Sequence, residues 1–180
     1  MTWKRLTSRT VYENDWIAVF EDDVVNPNGG HNRYGHVHFK NRAIGIVPLS
    51  VEGDTWLVGQ QRYTLGEWSW EIPMGGCSGE DPLQAAQREL QEETGLTAER
   101  WQEVMRLHTS NSITDESGFV FLAEELSAGE PAFDETEKLA IRRLPLADAV
   151  RMVMAGEITD AISAAGLLRV WLGRQPSALP

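Results

Sequence analysis

The sequence predicts an α/β fold in which short strands surround one amphipathic helix, with an antiparallel pair of strands placed before them. The helix is predicted within residues 71–96, where a glycine-rich turn leads into a periodic apolar pattern. Short β-branched and apolar runs of strand length precede and follow it. From Leu146 a second helical pattern begins, and it is broken near Gly156 into two helices. Strands combined with helices in this order indicate the α/β class.

Composition and charge indicate one domain whose partner is neither nucleic acid nor a membrane. The 180 residues are 42% hydrophobic and 24% charged, which is ordinary for a single domain with a full core. The formal charge is −11 and the pI is near 4.8. Nucleic acid and anionic membranes bind basic patches, so this charge argues against both partners.

A single cysteine, Cys77, excludes an internal disulfide. Neither a signal-peptide pattern nor an apolar run of ~18 residues is present, so the expected location is the cytoplasm. We do not expect Cys77 to be a nucleophile, because no histidine lies near it in the sequence, although the fold could bring one to it.

The first forty residues predict two antiparallel strands ahead of the main domain. Residues 3–25 alternate between apolar and polar side chains, and the turn composition NPNGG at residues 26–30 precedes a second alternating run. Three histidines, His31, His36 and His38, lie in this region. A His-x-His pair on an alternating strand is typical of a surface, so we assign these histidines no metal and no catalytic role.

Two apolar runs before the central helix predict a hairpin within the sheet. They are AIGIVPLSV at residues 43–51 and TWLVGQQRY at residues 55–63, and the turn composition EGD separates them. Arg62 closes the second run, and we expect it at the end of a strand.

Two tryptophans, Trp68 and Trp70, follow at strand spacing, which predicts that both indoles lie on one face of an extended segment. One hypothesis is that they pack the edge of the core. The other is that they form a rim that stacks on a base or a sugar, while Arg62 pairs with a phosphate or a carboxylate.

The central helix is bounded by local signals. Pro82 suits the first helical position after an opening at Glu80 or Asp81, and Gly95 predicts the end. Its apolar residues repeat at the spacing of a buried stripe, and three glycines form the turn before it. The stripe is Leu83, Ala86 and Leu90, and the glycines are Gly75, Gly76 and Gly79.

Three carboxylates, Glu89, Glu92 and Glu93, lie close together near the end of this helix. Like charges at this spacing cost about 0.2–0.5 kcal/mol per pair, and acids in a last turn oppose the helix dipole by roughly 0.3–1 kcal/mol. A solvated acidic face is the simplest explanation for an arbitrary Glu pair. Hard divalent cations need several carboxylate oxygens converging from one side, and this favours a metal site.

Three further strands are predicted after the helix. Their sequences are WQEVMRLHTS, GFVFLAEEL and KLAIRRLPL, and an acidic loop, SAGEPAFDETE, precedes the last of them. In the C-terminal helices, Leu167, Leu168 and Trp171 fall at helical spacing, which predicts core positions.

The spacing around the carboxylates resembles the Nudix box. Seven residues separate Glu80 from the sequence RELQEETGL at residues 88–96, and every fixed residue of the box from Glu80 onward is present. The box expects five residues between a glycine and this glutamate, whereas four follow Gly75, and Met74 stands where the glycine is counted. We interpret the departure as a loop one residue shorter, which affects the placement of the loop's backbone carbonyl.

The resemblance implies an α/β/α sandwich with a mixed sheet. It implies one Nudix hydrolase domain over residues 1–180, in which residues 1–39 are N-terminal strands for dimerisation, residues 40–172 the catalytic sandwich and residues 173–180 a tail. The segment QQRYTLGEWSWEIP is similar to the ADP-ribose pyrophosphatase and nucleoside-diphosphate-sugar hydrolase branch. In that branch the N-terminal strands pack against a partner subunit, so the resemblance implies a homodimer.

The activity implied is that of a pyrophosphohydrolase dependent on Mg²⁺ or Mn²⁺. Its substrate would be a nucleoside diphosphate sugar of the ADP-ribose, GDP-sugar or UDP-sugar type, cleaved to a nucleoside monophosphate and a sugar phosphate. Glu89 and Glu93 would be metal ligands, Glu92 a ligand or a base, and the carbonyl of Met74 a further ligand. Arg88 would orient Glu89 and Glu80, because a guanidinium can satisfy several carboxylates at once.

The resemblance also implies a general base on the loop before the last strand, where the chain reads Phe-Asp-Glu-Thr-Glu at residues 133–137. Glu135 is the first candidate. Glu137 is the second, and it could equally ligate a metal. The alternative is a solvated acidic turn, and in that case Glu92 or Glu116 would be the base.

Two other functions remain open. The enzyme could act on dinucleoside polyphosphates or nucleoside triphosphates, or the chain could be a Nudix-fold sensor that binds a nucleotide sugar without cleaving it. The ADP-ribose branch commonly carries a Ser-Pro-Gly type signature, and residues 108–112 lack its proline, which weakens ADP-ribose as the unique substrate. The intact carboxylates argue against a sensor, because a protein that only binds its ligand does not need a metal cluster that lowers the stability of the helix.

Overall fold

The structure is a computed structural model that describes residues 2–132 and 139–175. In this part the chain forms ten strands and three helices. The strands are β1 (Lys4–Glu13), β2 (Ile17–Val25), β3 (His31–Phe39), β4 (Arg42–Pro48), β5 (Asp54–Arg62), β6 (Glu67–Glu71), β7 (Met74–Cys77), β8 (Leu96–His108), β9 (Ser117–Ala128) and β10 (Ala140–Pro145). The helices are α1 (Pro82–Thr94), α2 (Leu146–Ala155) and α3 (Ala161–Gly173).

The N-terminal strands form a sheet of their own, in the order β1-β2-β3. The predicted antiparallel pair is confirmed, and β3 adds a third strand that pairs with β2 from Ile17 opposite Phe39 to Val25 opposite His31. The Asn14 side chain forms the first turn, since its Oδ1 accepts hydrogen bonds from the backbone N–H groups of Trp16 and Ile17 at 2.9 and 2.8 Å.

The remaining strands form two sheets, and the predicted hairpin of β4 and β5 is wrong. The strand β4 belongs to the mixed sheet β7-β4-β9-β8, where it runs parallel to β9, whereas β5 lies in the antiparallel sheet β10-β5-β6. The turn between them exists, because Ser50 N–H donates to Asp54 O at 2.9 Å, but the pairing stops at the single bridge from Leu49 to Thr55. Both strands form longer ladders with strands that are distant in the sequence, and local turn chemistry cannot predict such distant pairing.

Two hydrophobic clusters on opposite faces of the mixed sheet confirm the α/β/α layering. On one face Ile44 and Phe121 pack with Leu90 of α1. On the other face Val120 and Leu167 belong to the cluster that includes α2, α3 and the second sheet. Val120 and Phe121 are adjacent in β9 but belong to different clusters, because successive side chains of a strand point to opposite faces of the sheet.

The helix α1 has the predicted ends. Its N-cap is Asp81, whose Oδ1 accepts a hydrogen bond from Leu83 N–H at 2.9 Å, and Pro82 occupies the first helical position. Gly95 ends the helix with φ 71°, and its N–H donates to Gln91 O at 2.9 Å. The carboxylates in the last turn are therefore held at a defined height beside the glycine-rich loop.

The C-terminal helices divide at Gly156, which has φ 75°. Leu167 is fully buried, whereas Leu168 and Trp171 are partly buried and pack against the core, so the prediction for these three positions is confirmed in part. The last residues of the predicted tail, 176–180, lie outside the described residues. None of the helices described is both long enough and apolar enough to cross a membrane.

Candidate functional site

The glycine-rich loop and α1 meet at Gly75 and Glu89. A β-carbon built on Gly75 would lie 2.0 Å from Glu89 Cδ and 2.0 Å from Glu89 Oε1, so any other residue here would force the Glu89 carboxylate to move. The strand β7, which contains Gly75, is fixed by antiparallel pairing with β4, and Gly75 lies opposite Ile44. Glycine at position 75 therefore lets the Glu89 carboxylate lie against the loop.

Arg88 joins the carboxylates into one cluster. Its Nη1 donates to Glu89 Oε1 at 2.8 Å and to Glu92 Oε2 at 2.9 Å, and its Nη2 donates to Glu80 Oε1 at 2.8 Å and to Gly76 O at 3.0 Å. The hydrogen bond to Glu80 and then the charge of Glu89 raise the pKa of Arg88 well above its usual value, against the effect of burial. Arg88 therefore makes the predicted contacts with Glu89 and Glu80, and it also binds Glu92.

Glu93 is the buried member of the set, with 3% of its surface exposed. Its Oε2 accepts a hydrogen bond from Met74 N–H at 2.9 Å. The structure thus brings Glu93 to the Met74 backbone through its N–H, and the role of the Met74 carbonyl as a metal ligand stays a prediction. A cavity of about 450 Å³ lies in front of the cluster, and its lining includes Gly75, Glu89 and Glu92.

The donors fit a divalent cation by their chemistry. Three carboxylates and a backbone carbonyl are the hard oxygen ligands that Mg²⁺ and Mn²⁺ prefer. As the side chains stand, no three His, Cys, Asp or Glu groups within residues 2–132 and 139–175 converge on one ion position. Arg88 takes up one carboxylate oxygen each from Glu89 and Glu92.

Arg62 ends β5, as predicted, but its partner is a residue of the protein. Its Nε donates to Glu71 Oε1 at 2.8 Å and its Nη2 binds Glu71 Oε2, which makes a two-pronged ion pair. These hydrogen bonds, followed by the charges of Asp160 and Glu93, raise the pKa of Arg62, whereas burial opposes the rise. Arg62 lines a second cavity, together with Glu71 and Asp160.

Trp68 and Trp70 lie on one face of β6, as predicted. Their rings meet edge to face with centroids 5.9 Å apart, and both cover Gly59, whose absent β-carbon would lie 2.7 Å from Trp68 and 2.8 Å from Trp70. Trp70 packs against the core, and Trp68 is 50% exposed. Alternation along β6 places Glu71 on the opposite face, so neither tryptophan lines the cavity of Arg62.

The chain that follows β9 contacts α1 at Ala132, whose N–H donates to Glu92 O at 2.9 Å. Glu135 and Glu137, the predicted bases, come three and five residues later and lie outside the described residues. The described chain thus enters the 133–138 segment beside α1.

Glu116 lines the cavity of Arg62 and binds the hydroxyl of Thr109. Its neighbour Asp115 ties this loop to the N-terminal sheet, because its Oδ1 accepts a hydrogen bond from Phe39 N–H at 2.9 Å and its Oδ2 binds His38 Nδ1. His38 thus has a structural partner in Asp115, and the N-terminal sheet fixes the loop that bears Glu116.

Sequence reasoning missed Trp16 and Glu71. Trp16 is 69% exposed and lines the cavity in front of the carboxylates, at the turn between β1 and β2. Glu71 is 2% exposed and holds Arg62. The only signal for Trp16 was a large aromatic residue next to a turn-forming Asn-Asp pair, and for Glu71 an acid at a strand position expected to be buried.

Comparison with known proteins agrees with the geometry. Residues 39–163 match the NUDIX domain, and residues 3–37 match the nucleoside diphosphate sugar hydrolase N-terminal domain. The chain is 37% identical to the ADP-ribose pyrophosphatase of Mycobacterium tuberculosis, over 93% of this chain and 83% of that protein. It is 34% identical to the ADP-ribose pyrophosphatase of Bacillus subtilis, over 89% and 88% of the two chains. A crystal structure of an ADP compounds hydrolase shares the fold, with a TM-score of 0.86 over 98% and 97% of the chains at 24% identity.

Proposed function

The chain belongs to the Nudix family of hydrolases that act on pyrophosphate bonds, and we propose that its substrate is a nucleoside diphosphate sugar of the ADP-ribose type. Water would attack a phosphorus of the diphosphate bridge, and the products would be a nucleoside monophosphate and a sugar phosphate. The match of the N-terminal strands to a nucleoside diphosphate sugar hydrolase domain supports this substrate class over a nucleoside triphosphate.

The observation that carries the proposal is the Arg88-centred cluster beside the glycine-rich loop. Glu80, Glu89 and Glu92 all contact one guanidinium, which holds the helix face and the loop in a fixed arrangement. Phosphoryl transfer asks the protein mainly for positioning and for neutralisation of charge. A preorganised set of carboxylates next to a cavity suits that task.

Glu89, Glu92, Glu93 and the Met74 carbonyl are the groups that we expect to hold the divalent cation, with Mg²⁺ or Mn²⁺ as the ion. A bound cation would neutralise charge on the diphosphate and lower the pKa of the attacking water. Arg88 acts through the carboxylates that it orients, and Glu93, fixed on Met74 N–H, sets the position of the loop.

Three further assignments belong to the proposal. Glu135, or else Glu137, accepts the proton of the attacking water, and the support for this choice is that Ala132, the last described residue before them, donates its N–H to Glu92 O. Arg62 binds a substrate phosphate while Glu71 holds its guanidinium in place. Trp68 stays a candidate for stacking on the base or sugar through its exposed face, and Trp70 for the same role beside it.

We also propose that the protein is a homodimer assembled through the N-terminal sheet. All ten residues of β1 are exposed, among them the apolar Leu6 and Val11, and Trp3, just before the strand, is exposed as well. Asp22 Oδ1 is buried and has no hydrogen-bond partner among the described residues, an arrangement that a donor from a second copy would relieve. The partner chain, the cytoplasmic location and the single-domain division at residues 39 and 172 remain predictions.

The test is a substrate panel with product identification. The protein is incubated with Mg²⁺ and, in parallel, with ADP-ribose, GDP- and UDP-sugars, a dinucleoside polyphosphate and nucleoside triphosphates, and release of monophosphate is measured. We expect turnover of a nucleoside diphosphate sugar to exceed that of the other classes. Preferred turnover of a triphosphate or polyphosphate would overturn the substrate class, and tight binding without any product would indicate a sensor.

A further inference from the structure

The short link between β6 and β7 carries a group of the proposed site at each end. Glu71, at its start, holds Arg62 in an ion pair, and Met74, at its end, carries the carbonyl that we expect to bind the metal. Between them Ile72 is fully buried. The link also joins two sheets, since β6 belongs to the sheet β10-β5-β6 and β7 to the sheet β7-β4-β9-β8. A small displacement of the link would therefore move both groups.

The backbone of the link is held by hydrogen bonds to three different elements. Pro73 O accepts one from β4, and Met74 N–H donates one to α1. The ladder between β5 and β6 ends at Glu71, so Ile72 N–H lies beyond it. Ile72 N–H donates instead to Ser163 Oγ of α3 at 3.0 Å, and 91 residues separate the two in the sequence. A side chain of α3 thus takes the place of a strand partner.

Ser163 is a polar residue on the buried side of an apolar helix. It is fully buried, and it falls at helical spacing with Gly166, Leu167 and Val170, which are buried as well. An alanine would suit this position for packing alone, because a buried hydroxyl needs a hydrogen-bond partner. Ile72 N–H is such a partner, and the hydroxyl satisfies a buried backbone donor in return.

Two features hold the first turn of α3 in place. Asp160, the N-cap, accepts a hydrogen bond from Ser163 N–H at 2.8 Å. Ile162 packs so closely against β4 that a β-carbon built on Gly45 would lie 2.7 Å from Ile162 Cγ2. Gly45 is paired with Met74 in the mixed sheet. The turn that presents the Ser163 hydroxyl therefore also contacts the strand position beside Met74.

We propose that Ser163 is a positioning residue for the metal site and acts through its hydrogen bond with Ile72 N–H. The inference rests on the proposed function, because it requires the Met74 carbonyl to bind the cation. Ser163 is fully buried and contacts neither cation nor substrate. Without its oxygen the Ile72 N–H loses its acceptor, and the link moves toward another acceptor or toward water. That movement displaces the Met74 carbonyl from the carboxylates of α1.

The experiment measures Mn²⁺ binding without substrate, by isothermal titration calorimetry, and kcat for ADP-ribose at saturating Mg²⁺. Ser163→Ala removes the oxygen, and Ser163→Thr keeps it. Thr55→Val controls for the loss of a buried hydroxyl, because Thr55 Oγ1 is buried and has no hydrogen-bond partner within residues 2–132 and 139–175. Val170→Ala, at a buried position of the same helix, controls for weaker packing of α3.

We expect Ser163→Ala to raise the Mn²⁺ dissociation constant about tenfold and to lower kcat about tenfold, as is typical when a group that orients metal ligands is lost. Ser163→Thr, Thr55→Val and Val170→Ala should stay close to the wild type in both quantities, even where thermal unfolding shows that Val170→Ala is less stable. Wild-type values in Ser163→Ala would refute the inference. An equal loss in Ser163→Thr would assign the effect to packing and would refute it too.

Hydrogen exchange of the metal-free protein tests the hydrogen bond itself. In the wild type, Ile72 N–H should exchange as slowly as that of Val58, a buried residue of β5. In Ser163→Ala only the Ile72 amide and its neighbours in the link should exchange faster. Fast exchange of Ile72 in the wild type overturns the inference, even if Ser163→Ala does not fold.

The wild type separates this inference from the proposed function. If it neither binds Mn²⁺ nor cleaves a nucleoside diphosphate sugar, the proposed function fails. If it does both, and Ser163→Ala does both equally well, the function stands and Ser163 has no positioning role.

Discussion

Gly75 and Glu89 approach so closely that a single methyl group on the loop would occupy the position of the carboxylate, 2.0 Å from Glu89 Cδ. The relationship makes the loop glycine part of the site, although glycine has no functional group. It also gives a physical reason for glycine at this position that does not depend on backbone freedom.

We predict that Gly75→Ala lowers kcat/KM by about 10²-fold or more, because Glu89 must leave the position that Arg88 and the loop define. Steady-state kinetics with a titration of Mg²⁺ measures the effect. Gly35→Ala is the control, since its β-carbon would meet only Phe20 O, at 4.0 Å. Wild-type activity in Gly75→Ala would show that Glu89 is not needed where the structure places it.

Glu93→Gln should lower turnover by orders of magnitude and raise the Mg²⁺ concentration for half-maximal activity, because it removes one charged ligand from a site that has few. Without Mg²⁺ the variant should be as stable as the wild type or slightly more so. The amide oxygen can still accept the hydrogen bond from Met74 N–H, and one of several crowded negative charges is gone.

For Glu93→Gln, thermal unfolding with and without Mg²⁺ separates a role in metal binding from a role in stabilising the fold. Glu99→Gln, at an exposed position of β8, controls for the loss of one charge. Clear destabilisation of the metal-free Glu93→Gln protein would favour a structural role for Glu93.

Glu135→Gln should reduce kcat at least 10²-fold while KM and the Mg²⁺ titration stay near their wild-type values, as expected for loss of a general base. Glu137→Gln tests the second candidate, and a raised Mg²⁺ requirement in that variant would identify it as a ligand. The control is Glu130→Gln, which lies before the segment. Near-normal kcat in the double variant Glu135→Gln/Glu137→Gln would exclude the loop and leave Glu92 or Glu116 as the base.

Val11→Asp should convert the protein from a dimer to a monomer, because it places a charge at an exposed apolar position of β1. Light scattering after size-exclusion chromatography measures the molar mass. Val51→Asp is the control, at a turn residue that is 93% exposed. A wild-type mass of about 20 kDa, the size of one chain, would refute the dimer outright.

Deletion of residues 3–39 would be a less specific test of assembly. The strand β3 anchors the loop that bears Glu116, through Val37 opposite Thr114 and through the Tyr34 hydroxyl, which donates to Ser112 O. The deletion would therefore disturb the site within the same chain, whether or not a partner subunit contributes to it.

Local chemistry determined much of this protein in advance. The ends of α1 followed from Asp81, Pro82 and Gly95 because caps act within one turn of the chain. The alternating runs predicted strands near their observed positions, and the spacing of Glu89, Glu92 and Glu93 along one helix predicted the acidic face. These features depend on residues that are at most a few positions apart, so they can be predicted directly from the sequence.

Contacts between distant parts of the chain could only be decided by the tertiary structure. The parallel pairing of β4 with β9 overrode the turn signal at Ser50, because longer ladders and burial on both faces outweigh one turn. Glu71 forms an ion pair with Arg62 across the β5–β6 ladder. Ser69 of β6 and Asp160, the N-cap of α3, line the same cavity although about ninety residues separate them in the sequence. Which side chains meet there depends on the register and face of each strand, and a shift of one residue would have turned Ser69 and Glu71 away and the two tryptophans inward.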